Sequence, residues 1–351
     1  MERIKNPIYA EDVQKVAQLP LPWGKLQDAS VLISGASGLV GTGLVDVLMQ
    51  KNAEGLNCKV YALGRNAQKA KTLFASYWES DLFCFLSHDI SKSLPEDTKT
   101  ADYILHLASN THPVAYATDP IGTVTTNILG TKNLLDFAAQ RGATRFLFAS
   151  SCEIYGENRG DAELFDEQYC GYIDCNTLRA GYPESKRCSE ALCQAYKSQT
   201  GIETVIARLA RTYGPTMLMS DTKAISQFIR KALAGENIVL KSAGTQYYSY
   251  TYVMDAVSGL LTVLLVGENG EAYNVADNES DIMLKDLAAI LAKEANTQVV
   301  FELPDDVEKA GYSTATKARQ DGGKIQMLGW KAGDTIETGI RKTLAILKSE
   351  T

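Results

Sequence analysis

Between residues 30 and 150, the hydrophobic positions form short apolar runs separated by segments with helical spacing. The first run, Ser30 to Ser34, is followed by apolar residues three and four apart from Leu44 to Met49. Four further apolar runs follow, at 59–63, 82–86, 103–108 and 145–149. Strands that alternate with helices in this way predict an α/β protein with a doubly wound parallel sheet covered on both faces.

Three glycines spaced three apart, Gly35, Gly38 and Gly41, join the first strand to the first helix. The free N–H groups at a helix N-terminus suit a pyrophosphate, and glycine lets the backbone approach it closely. This GxxGxxG spacing is related to the dinucleotide fingerprint of Rossmann-type folds. It predicts a dinucleotide site, although close packing of a helix on a strand also favours small residues.

The regular alternation of apolar strands and helices ends after residue 210. A helix from Tyr182 to about Ser198 and a strand at 203–208 continue the first pattern. Beyond them we expect helices at 225–234 and 285–295 and short strands at 238–240 and 246–252. The predicted organisation is an N-terminal extension at 1–29, a dinucleotide-binding domain at 30–210 and a smaller, interleaved α/β lobe at 211–351.

Composition and charge narrow the function classes. The chain has 351 residues, a formal charge of −7 and a pI near 5.2, so it lacks the positive charge that binds nucleic acid or anionic membranes. Its first residues lack the apolar core of a signal peptide, so we expect a cytoplasmic protein. The seven cysteines contain no CxxC pair and do not cluster with the three histidines. We therefore predict no metal site and mostly buried cysteines.

A second group of polar residues carries the candidate chemistry. Ser151 follows the fifth predicted strand, and Tyr182 precedes Lys186 by four residues on one helix. That spacing places both side chains on one face, where an ammonium lowers the pKa of a phenol and makes it a base. A solvated Tyr–Lys pair is the alternative. Beside the glycine turn and Ser151, the pair predicts a hydride-transfer site.

Several of these motifs occur in the same order in a known family. The chain resembles the extended short-chain dehydrogenase/reductases that modify nucleotide sugars, over about residues 30 to 345. The shared motifs are GASGLVG at 35–41, HDI at 88–90, HLAS at 106–109, Asn127 with Gly130 and Thr131, SSCEIYG at 150–156, YPESK at 182–186, YGP at 213–215, Tyr252 and Val253 with Asp255, and LGW at 328–330.

This resemblance implies an NAD cofactor, a nucleoside-diphosphate sugar as substrate, and a homodimer paired through the helices at 124–140 and 182–198. It implies catalytic roles for Ser151, Glu153, Tyr182 and Lys186. The residues expected at the cofactor are Gly35, Ser37, Gly38, Leu39, Gly41, Arg65, Asp89, Ile90, Leu107, Ala108, Ser109, Asn127, Tyr182 and Lys186. Those expected at the substrate are Asn110, Glu153, Arg211, Gln246 and Tyr248.

The residues after Ser151 bear on the choice of reaction, which in this family begins with oxidation at sugar carbon 4. Dehydratases carry an acidic pair here, whereas this chain has Cys152 followed by Glu153. Glu153 and the stretch 108–116, which includes His112, resemble UDP-glucuronate decarboxylases, our first expectation. A dTDP-glucose 4,6-dehydratase, a 4-epimerase and a non-catalytic dinucleotide-sensing regulator remain the alternatives.

Two departures from the family pattern concern charge. Tyr248 stands where relatives carry an arginine that grips the diphosphate, and Arg211 stands where relatives carry an asparagine. A guanidinium binds phosphate well, so we expect Arg211 to relocate that grip. Arg65 follows the second strand in place of the usual acidic residue, which leaves NADP open, although NAD is favoured.

Overall fold

A parallel sheet of seven strands lies at the centre of the computed structural model, which describes residues 3–111, 113–302 and 316–350. Its strand order is β10-β6-β5-β4-β1-β2-β3. The first strand is therefore central and the chain winds outward on both sides, which confirms the predicted doubly wound fold. In the described residues the strands are β1 Ser30–Ser34, β2 Lys59–Gly64, β3 Phe83–Ser87, β4 Tyr103–His106, β5 Arg145–Ser151, β6 Glu203–Leu209, β7 Arg211–Tyr213, β8 Ile238–Leu240, β9 Tyr247–Tyr252, β10 Ala272–Val275, β11 Asp281–Met283, β12 Val299–Phe301 and β13 Lys317–Ala318.

Helices cover both faces of this sheet. Those of the described residues are α1 Pro7–Ala17, α2 Leu39–Ala53, α3 Ala67–Leu73, α4 Pro113–Thr118, α5 Pro120–Arg141, α6 Gly181–Thr200, α7 Ala224–Ala234, α8 Val253–Val266, α9 Leu284–Ala295, α10 Gly323–Met327 and α11 Ile336–Lys348. Short 3₁₀ turns lie at Arg3–Lys5, Trp23–Leu26, Ala75–Tyr77, Cys152–Tyr155, Leu178–Ala180 and Asn278–Ser280.

The central strands are apolar on both faces, as buried parallel strands are. Val31 and Ile33 of β1 belong to the larger hydrophobic core, which also contains α2 and α8. Leu32, between them, points to the opposite core with Leu134 of α5. Because side chains alternate along a strand, one continuous apolar run fills both layers.

A smaller sheet begins at the carboxyl edge of the central one. Strand β7 starts two residues after β6 ends and pairs with β9, with Arg211 opposite Tyr250. Strands β11 and β13 flank β9 on this sheet, and β8 pairs separately with β12. The seventh strand of the central sheet, β10, comes from beyond residue 210. The two sheets therefore share the chain in an interleaved way.

Helix α1 connects the central sheet with the C-terminal elements. The Tyr9 hydroxyl donates to Asp46 of α2 at 2.7 Å. Asp12 accepts from the Tyr252 hydroxyl at 2.9 Å and from the Lys342 ammonium at 2.6 Å. Burial raises the pKa of Asp46 to about 7. The N-terminal segment thus packs on the body of the protein through buried polar contacts.

The cysteines differ from the prediction that most are buried. Cys58, Cys152 and Cys193 are buried, whereas Cys170, Cys175 and Cys188 are exposed, and all seven are free thiols. The exposed ones lie on the polar segment before α6 and on its outer face, where hydrophobic burial does not operate. Among the described residues no three His, Cys, Asp or Glu side chains gather as metal ligands. No described helix is long and apolar enough to span a bilayer.

Candidate active site

The glycine turn after β1 is shaped by close backbone contacts. Gly35 has a φ of +71°, and a Cβ there would lie 2.7 Å from the Ala108 nitrogen. A Cβ on Gly41 would lie 2.3 Å from the Gly35 carbonyl oxygen. Helix α2 then begins at Leu39 with Gly38 as its N-cap, and no described side chain caps it. The exposed backbone N–H groups fit a dinucleotide pyrophosphate.

The strip Leu107–Ser109 after β4 lies against this turn. The Ser34 hydroxyl accepts from the backbone N–H groups of Leu107 and Ala108, at 3.2 and 3.3 Å. The Ser109 hydroxyl donates to the side-chain amide oxygen (Oδ1) of Asn127 in α5 at 2.7 Å. The structure therefore brings the predicted strip, the glycine turn and α5 together at the carboxyl edge of the sheet.

The residues expected at the adenosine end lie beside β2 and β3. Arg65 is exposed, and Asp89 accepts from the Ser91 backbone N–H at 3.0 Å. That bond lowers the pKa of the Asp89 carboxyl, and the Arg65 charge adds to the effect. Ile90 is buried against Gly130 of α5. Ser37 accepts from the Lys69 ammonium at 3.0 Å through its carbonyl.

Helix α6 carries the predicted proton-transfer pair. Tyr182 and Lys186 are both buried, at 6% and 3% exposure, and the Ser151 side chain at the end of β5 lies close enough to Tyr182 to act on the pKa of its phenol. Lys186 donates to the Ala149 carbonyl of β5 at 2.8 Å. Strand β5 and helix α6 therefore place a serine hydroxyl and a phenol side by side, as a carbonyl–hydroxyl interconversion requires.

Burial shifts the pKa of both members of this pair. It raises the pKa of the Tyr182 phenol, and the negative charge of Glu153 raises it further. Burial also lowers the pKa of Lys186 to about 7. Desolvation therefore opposes the charged form of each side chain, and the expectation that Lys186 holds Tyr182 as a base near neutral pH stays a prediction.

Glu153 lies between two arginines beside Tyr182. Arg179 donates to one Glu153 oxygen at 2.5 Å, and Arg211 lies 4.0 Å from the other. The Arg211 guanidinium also stacks on the Tyr248 ring at 3.8 Å. We call Glu153, Arg179, Arg211 and Tyr248 the guanidinium cluster. It joins four segments that are far apart in the sequence.

Two members of the site escaped sequence reasoning as functional residues. No sequence motif singles out Arg179. Tyr116 lies within the stretch 108–116, but the motifs predict no role for it. The Tyr116 ring stacks on Tyr182 at 4.8 Å between centroids, and Arg179 lies 4.9 Å from the Tyr116 centroid. The available signal was the position of Arg179 three residues before Tyr182.

Two predicted substrate residues lie apart from this group. Asn110 donates to the Thr123 hydroxyl at 3.4 Å, and the Gln246 side chain accepts from Ser242 at 3.3 Å. In the described part of the chain, neither hydrogen-bonds the guanidinium cluster. His112 lies outside the described residues.

Comparison with known proteins places this arrangement in a family. The sequence profile described as "NAD dependent epimerase/dehydratase family" matches residues 31–276, which include Gly35, Ser151, Tyr182 and Arg211. The chain belongs to this family. Members depend on NAD, and the geometry of the glycine turn fits the pyrophosphate of that dinucleotide.

Individual members of the family are also similar over most of the chain. UDP-glucuronic acid decarboxylase 1 of Danio rerio is 32% identical over 91% of this chain and 73% of its own length. UDP-glucuronic acid decarboxylase 5 of Arabidopsis thaliana is 32% identical over 88% and 86%.

Solved structures of the same family share the fold. A UDP-glucuronic acid 4-epimerase from Bacillus cereus, in complex with UDP-glucuronic acid and NAD, has a TM-score of 0.77 and 21% identity over 92% of this chain and 100% of its own. A dTDP-glucose 4,6-dehydratase from Streptomyces venezuelae with NAD bound has a TM-score of 0.78 and 23% identity over 90% and 96%.

Proposed function

We propose that the protein decarboxylates UDP-glucuronate through transient oxidation at sugar carbon 4. The observation that carries the proposal is the position of Glu153 beside the Ser151–Tyr182 pair. Glu153 is one of the residues by which the chain resembles UDP-glucuronate decarboxylases. Its backbone N–H donates to the Ser151 hydroxyl at 3.2 Å. The similarity to relatives named UDP-glucuronic acid decarboxylase supports it.

The side chains divide the chemistry between them. Tyr182 takes the proton of the 4-hydroxyl while Ser151 hydrogen-bonds the same oxygen. Bound NAD would accept the hydride from carbon 4 and later return it. The resulting 4-keto uronate is a β-keto acid. Its C5–C6 bond breaks, carbon dioxide leaves, and the electron pair moves to an enolate oxygen that Tyr182 and Ser151 stabilise. A proton from solvent then adds at carbon 5, and Tyr182 returns its proton to the 4-oxygen, where bound reduced NAD would supply the hydride to carbon 4.

Cys152 weighs against the dehydratase alternative. Dehydration needs an acid to protonate the leaving 6-hydroxyl, and the aspartate of that role is replaced here by a thiol. Burial raises the pKa of Cys152 above its ordinary value of 9.0, so the thiol donates a proton poorly at neutral pH. Dehydration therefore lacks the acid that would protonate the leaving 6-hydroxyl.

Turnover with two sugar nucleotides tests the proposal. The protein is incubated separately with UDP-glucuronate and dTDP-glucose, and carbon dioxide, the 4-keto-6-deoxy sugar absorbance and the product sugar are measured. We expect carbon dioxide and a UDP-pentose from the first substrate alone. Inversion at carbon 4 with the carboxyl group retained would instead establish an epimerase. No turnover of either substrate would favour a dinucleotide-sensing regulator.

A homodimer through α5 and α6 is a further part of the proposal. Ile121 and Leu129 of α5 are 77% and 43% exposed, and apolar side chains of this size on a helix surface favour a protein partner. Sedimentation of wild type and Ile121→Glu tests it. We expect a dimer that dissociates in the variant, and a monomeric wild type would reject the interface. A cytoplasmic location stays a prediction.

A further inference from the structure

The guanidinium cluster contains two positive charges and one negative charge. Arg179 hydrogen-bonds Glu153, but Arg211 is 4.0 Å from that carboxylate, beyond hydrogen-bond reach. The Nε atoms of both arginines are buried without a hydrogen-bond partner among the described residues. One guanidinium is therefore left with unmet donors in a site that is mostly shielded from water, an arrangement that costs free energy.

Arg208, three residues earlier in the chain, is an arginine whose guanidinium nitrogens all have hydrogen-bond partners. Its Nε and Nη2 donate to the two oxygens of Glu190 at 3.1 and 2.7 Å, and its Nη1 donates to Tyr155 and to the Glu167 carbonyl. Arg211 has a ring beneath it and one distant carboxylate. The contrast indicates that Arg211 is held for a ligand and not for the fold.

The cluster lies beside the reacting end of the site. The side chains of Arg179, Glu153 and Arg211 are 19%, 17% and 20% exposed. Arg179 contacts Tyr116, which stacks on Tyr182, and Glu153 bonds Ser151 through its backbone. An anion that meets the two guanidiniums is therefore next to the hydroxyl group that Tyr182 serves.

The geometry points to the sugar carboxylate as that anion, so Arg179 and Arg211 together form the receptor for a uronic acid. This inference deepens the proposed function and rests on it. In a hexuronate the carboxyl group is attached to carbon 5, the neighbour of carbon 4, whereas the diphosphate is attached to carbon 1 across the ring. With the 4-oxygen at Tyr182, the carboxylate is the nearer anion. This differs from the diphosphate role that the sequence predicted for Arg211.

Glu153 sets the strength of this receptor. The Glu153 carboxylate competes with the substrate carboxylate for the guanidiniums of Arg179 and Arg211. The substrate carboxylate is therefore recognised without forming a tight ion pair with each of the two arginines. A tightly paired carboxylate would resist the loss of carbon dioxide, because its negative charge must move to the enolate oxygen. The receptor thus selects uronates while leaving them reactive.

Binding measurements separate the carboxylate from the diphosphate. In a Tyr182→Phe background with NAD bound, which suppresses turnover, dissociation constants for UDP-glucuronate, UDP-glucose and UDP are measured by calorimetry. Arg211→Met is compared with Arg211→Lys and with Arg319→Met as the matched control. Arg319 also stacks on a β9 tyrosine, Tyr247, at 4.6 Å and is 19% exposed, but its ion pairs are to Glu163 and Asp281.

We expect Arg211→Met to weaken UDP-glucuronate about tenfold to a hundredfold, the loss of one charge-assisted contact. The dissociation constants of Arg211→Met for UDP-glucose and UDP should stay within about threefold of the parent's. Those of Arg319→Met should do so for all three ligands. The affinity of Arg211→Lys for UDP-glucuronate should lie between those of the parent and Arg211→Met. Equal weakening of all three ligands would overturn the inference in favour of a diphosphate grip. So would unchanged binding of UDP-glucuronate. Failure to release carbon dioxide with this discrimination intact would reject only the decarboxylation.

Discussion

The glycine turn and the guanidinium cluster lie at the same edge of the central sheet but are built differently. The turn comes from one stretch, residues 35–41, and presents backbone N–H groups. The cluster comes from the turn after β5, the turn before α6 and the first residues of β7 and β9, and presents charged side chains. A contiguous backbone site is readable from the sequence, whereas a site assembled from distant side chains is readable only once the fold has placed them.

Tyr182→Phe should have the largest effect, because it removes the phenol hydroxyl that lies beside the guanidinium cluster. Removing the phenol hydroxyl should lower turnover about 10²- to 10⁴-fold, the usual contribution of a positioned acid or base. NAD content should stay unchanged because the glycine turn is untouched, and UDP affinity should stay unchanged because UDP lacks the sugar that meets Tyr182. Tyr196→Phe removes a hydroxyl from the far end of α6, where it bonds Asp136, and serves as the control. Carbon dioxide release that survives in Tyr182→Phe would contradict the assigned role.

Gly41→Ala tests the turn. The added methyl would collide with the Gly35 carbonyl and the Ala36 Cα, at 2.3 and 2.8 Å, and backbone atoms cannot yield without displacing the turn. We expect the NAD content of the purified protein to fall at least about tenfold. Gly24→Ala adds the same methyl where nothing lies within 4 Å. Equal NAD in both variants would show that the turn does not seat the cofactor.

Glu153→Gln sharpens the comparison by changing charge alone. Without its carboxylate the two arginines lose their shared counter-ion, so UDP-glucuronate should bind about three- to tenfold more tightly while carbon dioxide release slows. Titration calorimetry and single-turnover kinetics measure the two effects. Glu184→Gln is the control, because Glu184 pairs with Arg187 at 3.1 Å on the same helix as Tyr182. Weaker binding of the uronate would show that Glu153 contacts the substrate favourably.

Lys186 should affect the stability of the fold and how that stability depends on pH. Its pKa is about 7 in the folded protein against an ordinary 10.5, so above pH 7 the unfolded chain binds more protons than the folded one. The stability of wild type relative to Lys186→Met should therefore rise with pH between about 7 and 10, by up to about 1.4 kcal/mol per unit.

Urea unfolding at several pH values measures this slope. Lys197→Met, at the surface end of α6 where the ammonium bonds the Asn269 carbonyl, is the matched control for removal of a lysine from this helix. A flat or falling difference between wild type and Lys186→Met would mean that Lys186 stays charged in the folded protein.

Much of the fold was predictable because the apolar runs are long and regular. The sheet, its helices and the order of its first six strands follow from alternating periodicities between residues 30 and 209. Less could be read of the site's chemistry. Arg179 and Tyr116 reach Tyr182 through ring contacts that no spacing rule describes. The direction of the Tyr182 pKa depends on burial, which the Tyr–Lys spacing does not reveal.

Asn127 gives the site a direction. The Ser109 hydroxyl donates to its side-chain amide oxygen, and its amide nitrogen donates to the Ser185 hydroxyl at 2.8 Å. Ser185 in turn donates to the Tyr182 carbonyl at 2.8 Å. Every proton in this relay points the same way, from the cofactor strip to α6. An aspartate of identical shape has acceptors only, so Ser185 would have to turn its hydroxyl toward the carboxylate and release Tyr182. The orientation of a single side-chain amide thus links the strip Leu107–Ser109 to the backbone of Tyr182.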